Sequence, residues 1–237
     1  MKYFLLLVIV AKACISFAQT DPFVTNIKPG NVAGLEAYDK SGKPIPKGTE
    51  AAIDGSAMLN QHFEKGIVKF RNGQEFKDVL LNLSLINNQL YFKKDSTEMV
   101  FIIPVEQFLL PVINEGKAKT VLFKSGYPTV GKQTNRTFYQ VLSDGPRVQF
   151  LKYEYKTMSE HFVYGSLPAN EYKSERLFFM YNLANKQITK IAINAKSVRK
   201  ALARYEAEID RFLLQNKGKL TREDEIISLV EYINQQL

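Results

Sequence analysis

From about Asn31 to Asn194, turn signals recur at short intervals, and the segments between them are rich in β-branched and aromatic side chains. That punctuation constrains the fold more than any other feature, because it leaves short strands as the building unit. Strands in succession without intervening helical patterns make an antiparallel meander, a sandwich or a barrel. The clearest pair is 66–70 and 74–85, separated by Asn72-Gly73. Asn-Gly supplies the positive φ values of a tight type I′ hairpin. In the second arm Val79, Leu81, Leu83 and Leu85 alternate with Leu80, Asn82 and Ser84, the period of a half-buried strand.

Asn87-Asn88 marks the next turn, followed by strands at 89–93 and 99–103 around Lys94-Asp95-Ser96. Further strands are expected at 119–123, 137–142 and 147–155, the last two joined by Asp144-Gly145-Pro146. Two more, 174–181 and 187–193, flank Ala184-Asn185-Lys186.

The pattern then switches. Val198, Leu202, Tyr205, Ile209 and Phe212 recur at helical spacing, and Lys217-Gly218 ends the run. Thr221 is placed to cap a second helix, with Asp224 in the capping-box position and Ile226, Val230 and Ile233 as its stripe. The expected fold is mainly β, of the α+β class. It is an antiparallel meander, open or rolled or barrel-like, with a C-terminal two-helix hairpin. The divisions are a signal peptide at 1–18, a partly ordered extension at 19–54, a β domain at 55–194 and the helical hairpin at 195–237. No Pro, Gly or Ser-rich linker separates independent domains.

Residues 1–18 have the form of a secretory signal: Lys2, an apolar run from Phe4 to Val10, then Ser16-Phe17-Ala18 before Gln19. The run is too short for a bilayer span, which takes about 18 apolar residues. A lipoprotein acylated on Cys14 is the alternative, although Lys12 fits poorly where a small residue is wanted. Cleavage after Ala18 removes Lys2, Lys12 and Cys14, so the net charge falls from +8 to +6 and no cysteine remains. Disulfides, thiolate catalysis and cysteine-ligated zinc are thereby excluded. Apolar and charged fractions of 45% and 24% exclude disordered, collagen-like and polytopic membrane chains.

Four features are candidate sites. Gly126 to Gln133 nearly spells a phosphate-binding loop, but Gln133 replaces the magnesium-binding hydroxyl and no helix follows. A surface loop between strands is the stronger reading. His62 and His161 stand far apart and outside any metal spacing, so both are read as ordinary turn or strand-edge residues. Residues 186–222 carry ten Lys or Arg against Glu206, Glu208 and Asp210, and the last fifteen residues are acidic. That asymmetry is read as two solvated helices attracting each other rather than as a nucleic-acid or lipopolysaccharide patch. Tyr153, Tyr155, Tyr164, Tyr172 and Tyr181 are read as core packing rather than as a sugar or peptide groove.

One set of residues has a wider meaning. It comprises Gly55-Ser56-Ala57-Met58-Leu59-Asn60, Phe63-Glu64-Lys65-Gly66, the Asn72-Gly73 hairpin and Leu90-Tyr91-Phe92. It continues through Phe123-Lys124-Ser125-Gly126-Tyr127-Pro128, Phe138-Tyr139-Gln140-Val141-Leu142, Gly145, Leu151-Lys152 and Lys196-Ser197 to the terminal hairpin. From Gly55 onward the set resembles a family of uncharacterised exported proteins of Bacteroidetes-type bacteria. The resemblance implies an envelope or secreted origin and a β-rich body, and it carries over no catalytic residue. No catalytic, metal-ligating or cofactor-binding residue is therefore assigned, and no cofactor is expected. The expected role is non-catalytic: a periplasmic or secreted structural or macromolecule-binding protein, its partner an envelope protein or surface ligand rather than nucleic acid. A β-roll holding a lipid or sugar is the alternative, and a hydrolase ranks third.

Overall fold

A computed structural model describes residues 55–114, 116–161, 169–216 and 218–236. Residues 1–18, read as an export signal, with Cys14, and the extension 19–54 lie outside them.

Ten strands form one antiparallel sheet: β1 (Glu64–Phe70), β2 (Glu75–Leu83), β3 (Leu90–Lys94), β4 (Thr97–Val100), β5 (Val105–Asn114), β6 (Lys117–Lys124), β7 (Tyr139–Ser143), β8 (Val148–His161), β9 (Ala169–Asn182) and β10 (Gln187–Ile191). Their spatial order is β10-β9-β8-β7-β6-β5-β1-β2-β3-β4. The chain runs β1 to β4 outward, returns to pair β5 with the free side of β1, and runs outward again to β10. The expected meander is thus two meanders back to back. Their shared seam, β5, is a strand the sequence pattern did not signal. Its run Phe108-Leu109-Leu110-Pro111-Val112 lacks alternation, and Pro111 argues against a central strand.

The β1–β2 turn differs from expectation. The Phe70 amide donates to the Gln74 carbonyl and the Gly73 amide to the Phe70 carbonyl, both at 2.9 Å, giving a three-residue loop. Only Gly73 takes positive φ (85°); Asn72 does not, so the turn is not type I′. The Asn72 side chain instead accepts the Gln74 amide at 3.0 Å, which favours a loop one residue longer with glycine in the left-handed position.

β2 is also more buried than alternation implied. Asn82 and Ser84 are buried as well as Leu81, Leu83 and Leu85. The cause is the segment before β1, which lies along the end of β2: Leu59 donates to the Leu83 carbonyl and Leu85 to that of Ala57. Asn60 and Asn82 satisfy each other there, and Asn60 also bonds the backbone of Pro111 and Ile113. The sheet curls without closing into a barrel. The Lys156 amide of β8 reaches the Leu85 carbonyl at 2.8 Å, while β4 and β10 remain edges.

Side chains alternate across β8. Val148 and Phe150 pack with Met180 beneath the helices, whereas Leu151 packs with Tyr127, Tyr139, Phe179 and Ile188 on the other face. The helices are α1 (Ala195–Ala201), α2 (Glu206–Asn216) and α3 (Glu223–Gln235), with a 3-10 turn at Ala203–Tyr205 between the first two. The stripe Val198, Leu202, Tyr205, Ile209, Phe212 is wholly buried, but the helix breaks at Leu202 rather than running through. α3 begins after Arg222, not Thr221, because the Glu225 carboxylate accepts the amides of both residues, at 3.3 and 2.8 Å.

Candidate functional site

Three turns enclose an open cleft of about 380 Å³, the β1–β2 and β6–β7 turns from one end of the sheet and the β2–β3 turn from the other end of β2. The β1–β2 turn brings Arg71, the β2–β3 turn brings Asn87, Asn88 and Gln89, and the long β6–β7 connection brings Lys132, Thr134, Arg136 and Phe138. The β4–β5 link adds Phe101, Ile102 and Ile103.

These pieces are bonded to one another. Arg71 donates a guanidinium N–H to the Asn135 carbonyl at 2.7 Å, and its amide donates to the Pro104 carbonyl at 3.2 Å. Asn88 holds Phe138 by both backbone groups, accepting its amide at 2.7 Å and donating to its carbonyl at 3.2 Å. Asn88 can do so because asparagine tolerates the left-handed backbone (φ 55°) the turn imposes. Ser125 donates its hydroxyl to the Val105 carbonyl at 2.6 Å. Beneath, Phe138 meets Phe108 edge-on at 5.1 Å, and Phe108 stacks on Phe123 at 4.7 Å. The walls are therefore set before any ligand arrives.

The electrostatics are one-sided. Arg71, Lys132 and Arg136 line the cleft, and no Asp or Glu does among the described residues. All three are exposed. Among the described residues, the side chains of Lys132 and Arg136 have no hydrogen-bond or ion-pair partner. Half-buried Phe101, Phe138 and Tyr153 supply aromatic faces. The arrangement suits an organic anion: planar guanidinium forks for its oxygens and aromatic faces for its carbon body.

A second, larger hollow of about 600 Å³ lies within the curl of the sheet. Its charges are largely matched. Lys152 pairs with Glu223 at 3.8 Å and Arg176 with Glu154 at 4.0 Å. The Lys156 ammonium donates to the carbonyls of Ser56 at 2.6 Å and Met58 at 3.3 Å, and burial lowers its pKa. This hollow acts as a seam joining β8 to the segment before β1.

No family model, curated protein or solved structure matches the chain.

The features singled out in the sequence have definite places. The Gly126 to Gln133 stretch is a surface loop between β6 and β7, as read. Val130 and Gln133 bond each other's backbones at 3.0 and 3.1 Å, with Gly131 at positive φ, so its amides close a small hairpin instead of cradling phosphate. Lys132, noticed only inside that motif, stands at the hairpin tip and lines the cleft. His62 is exposed ahead of β1, and His161 ends β8.

In the basic segment Arg199 bridges Glu206 and Asp210, and Arg222 contacts Asp224 and Glu225. These contacts join cations to acids close by in sequence. Lys152–Glu223 at 3.8 Å and Arg147–Glu208 at 4.0 Å tie the helices to β8 and the turn before it rather than to each other. Tyr153 packs on Tyr139 and Tyr155, and Tyr181 packs edge-on against Tyr127 at 5.0 Å. Of the five tyrosines Tyr153 also lines the cleft, and Tyr164 lies outside the described residues.

Arg71, Asn88 and Arg136 were not singled out in the sequence. Each reads there as an ordinary turn residue; the strand order β6-β5-β1 sets Arg71 and Arg136 at one end of the sheet, and its curl brings Asn88 to them from the far end of β2.

Proposed function

We propose that this chain is an exported, non-catalytic binding protein whose working surface is the cleft between the β1–β2, β2–β3 and β6–β7 turns. The observation that carries this reading is the convergence of Arg71, Lys132 and Arg136 on a lining that, among the described residues, has no carboxylate. Most cations on a folded surface sit among acids that neutralise them at little distance. Here the local field is uniformly positive and draws an anionic partner. Among the described residues, the cleft lining holds no histidine, cysteine or carboxylate pair that would set a general base beside a nucleophile. The form of residues 1–18 and the resemblance to exported proteins support delivery beyond the cytoplasm. No helix among the described residues is long and apolar enough to cross a membrane.

The test has two parts. Protein recovered outside the cytoplasm should begin at Gln19; a mature chain acylated on Cys14 would replace the soluble assignment with a lipoprotein. The recovered protein should then be retained on isolated envelope material, and the double variant Lys132→Gln/Arg136→Gln should be retained less. Equal retention of the variant, or release of cleaved products from that material, would remove the binding reading.

A further inference from the structure

The geometry points to a carboxylated sugar as the ligand of this cleft. The inference rests on the binding reading above and gives it a chemical class.

A sugar ring presents an apolar C–H face and an edge of hydroxyls, and an acidic sugar adds a carboxylate. The cleft offers a counterpart to each. Phe101, Phe138 and Tyr153 are half-buried, which leaves part of each ring open to a C–H face. The lining also carries hydroxyls that the fold already orients. Thr137 accepts the Thr134 amide at 2.9 Å, and Thr134 accepts the Arg136 amide at 3.3 Å. Each of these hydroxyls keeps its own O–H to donate. A fatty acyl chain would leave these groups without partners, and a bare phosphate would leave the aromatic faces uncovered.

The carboxylate falls to Arg136 and Lys132. Their loop is pinned at Asn135 by Arg71 and at Phe138 by Asn88, so the ligand need not order it on binding. Arg71 uses one N–H on Asn135 and keeps donors free for the same anion. A volume of about 380 Å³ lies at the small-molecule end of the range for ligand sites, roughly 300–1,000 Å³.

The test is titration calorimetry on the exported protein with four probes: trigalacturonate, neutral galactotriose, glucose 6-phosphate and inorganic phosphate. Trigalacturonate is expected to bind, with galactotriose at least about tenfold weaker and inorganic phosphate weaker still. Lys132→Gln/Arg136→Gln should lose about tenfold for trigalacturonate, and Phe138→Leu should weaken both sugars alike. Lys119→Gln, in the larger hollow, should change nothing.

Equal affinity for the two sugars would overturn recognition of the acid. Equal affinity for inorganic phosphate and trigalacturonate would reduce the cleft to a simple anion patch, and preference for glucose 6-phosphate would move the assignment to a phosphorylated sugar. If no probe binds while envelope retention still depends on Lys132 and Arg136, the acidic-sugar class fails and the binding reading stands. Failure of both removes both.

Discussion

Tyr139 is fully buried, and its hydroxyl has no hydrogen-bond partner. An unpaired buried hydroxyl costs about 1–3 kcal/mol, so Tyr139→Phe should stabilise the protein by about 1 kcal/mol, read as a higher urea midpoint. Tyr127 is the contrasting case. Its hydroxyl donates to Gln149 at 2.9 Å, within a chain that continues through Asp144 to Lys124. Tyr127→Phe leaves the buried Gln149 carbonyl short of a donor and should destabilise by about 1 kcal/mol. Opposite signs for the same substitution make a sharp comparison; equal effects would mean that the hydroxyl environments are not as described.

These tyrosines also set the alkaline limit. Burial raises the pKa of Tyr127, Tyr139 and Tyr153 above the usual 10.0. Above 10.0 the unfolded chain releases protons that the folded chain keeps, so stability falls as pH rises from there. Lys156 opposes this: its pKa is lowered from 10.5, so in the interval just below that value stability rises with pH. Three groups outweigh one, and the urea midpoint should drop between about pH 9 and pH 11. The drop should be smaller in Tyr139→Phe; an unchanged slope in that variant would count against its burial.

Between elements, α3 is attached to the β7–β8 turn through polar contacts as well as its apolar face. The Asn234 side chain accepts the amides of Arg147 and Val148 at 3.0 Å each and donates to the Val148 carbonyl at 2.8 Å. Arg147 donates to the carbonyls of Ile233 and Gln236 at the end of the same helix, and its guanidinium lies 4.9 Å over the Tyr205 ring. Gly145 is required because a Cβ there would run into the Asn234 side chain. Asn234→Ala should therefore cost about 2–3 kcal/mol by urea denaturation, and Gly145→Ala about 1–3 kcal/mol. A cost below about 0.5 kcal/mol for Asn234→Ala, a typical surface value, would show that the helix is held by its apolar face alone.

The terminal helices were legible because their stripes follow a 3.6 period that burial enforces. Their boundaries were not, since Glu225 can reach either Thr221 or Arg222 and sequence does not say which. β5 escaped for the opposite reason. Its unbroken apolar run, Phe108-Leu109-Leu110-Pro111-Val112, hides the alternation that the structure shows, with Phe108 and Leu110 buried and Leu109 only partly so.

At the scale of the whole molecule, the turn punctuation did announce an antiparallel sheet, but not how the sheet would curl. That curl depends on Lys156 reaching Leu85, Ser56 and Met58, contacts between residues far apart in the chain. The cleft was illegible for the same reason. Arg71 and Arg136 carry no spacing that links them, and the strand order alone sets them on one margin. Because the three cations are exposed, their attraction is screened over about 10 Å at 0.1 M salt. Raising salt from about 0.05 to 0.5 M should weaken binding of an anionic ligand markedly, whereas a neutral ligand held by the aromatic faces alone would be indifferent.

The most direct measurement is a ¹H–¹⁵N NMR titration of the protein with trigalacturonate, with every shifted amide placed on the fold. The expected shifts cluster at Arg71, Asn88, Ile102, Lys132, Thr134 and Arg136, and fade in Lys132→Gln/Arg136→Gln. Shifts centred instead on Lys119, Lys152 and Lys156 would contradict the assignment of the cleft and place the binding surface in the larger hollow.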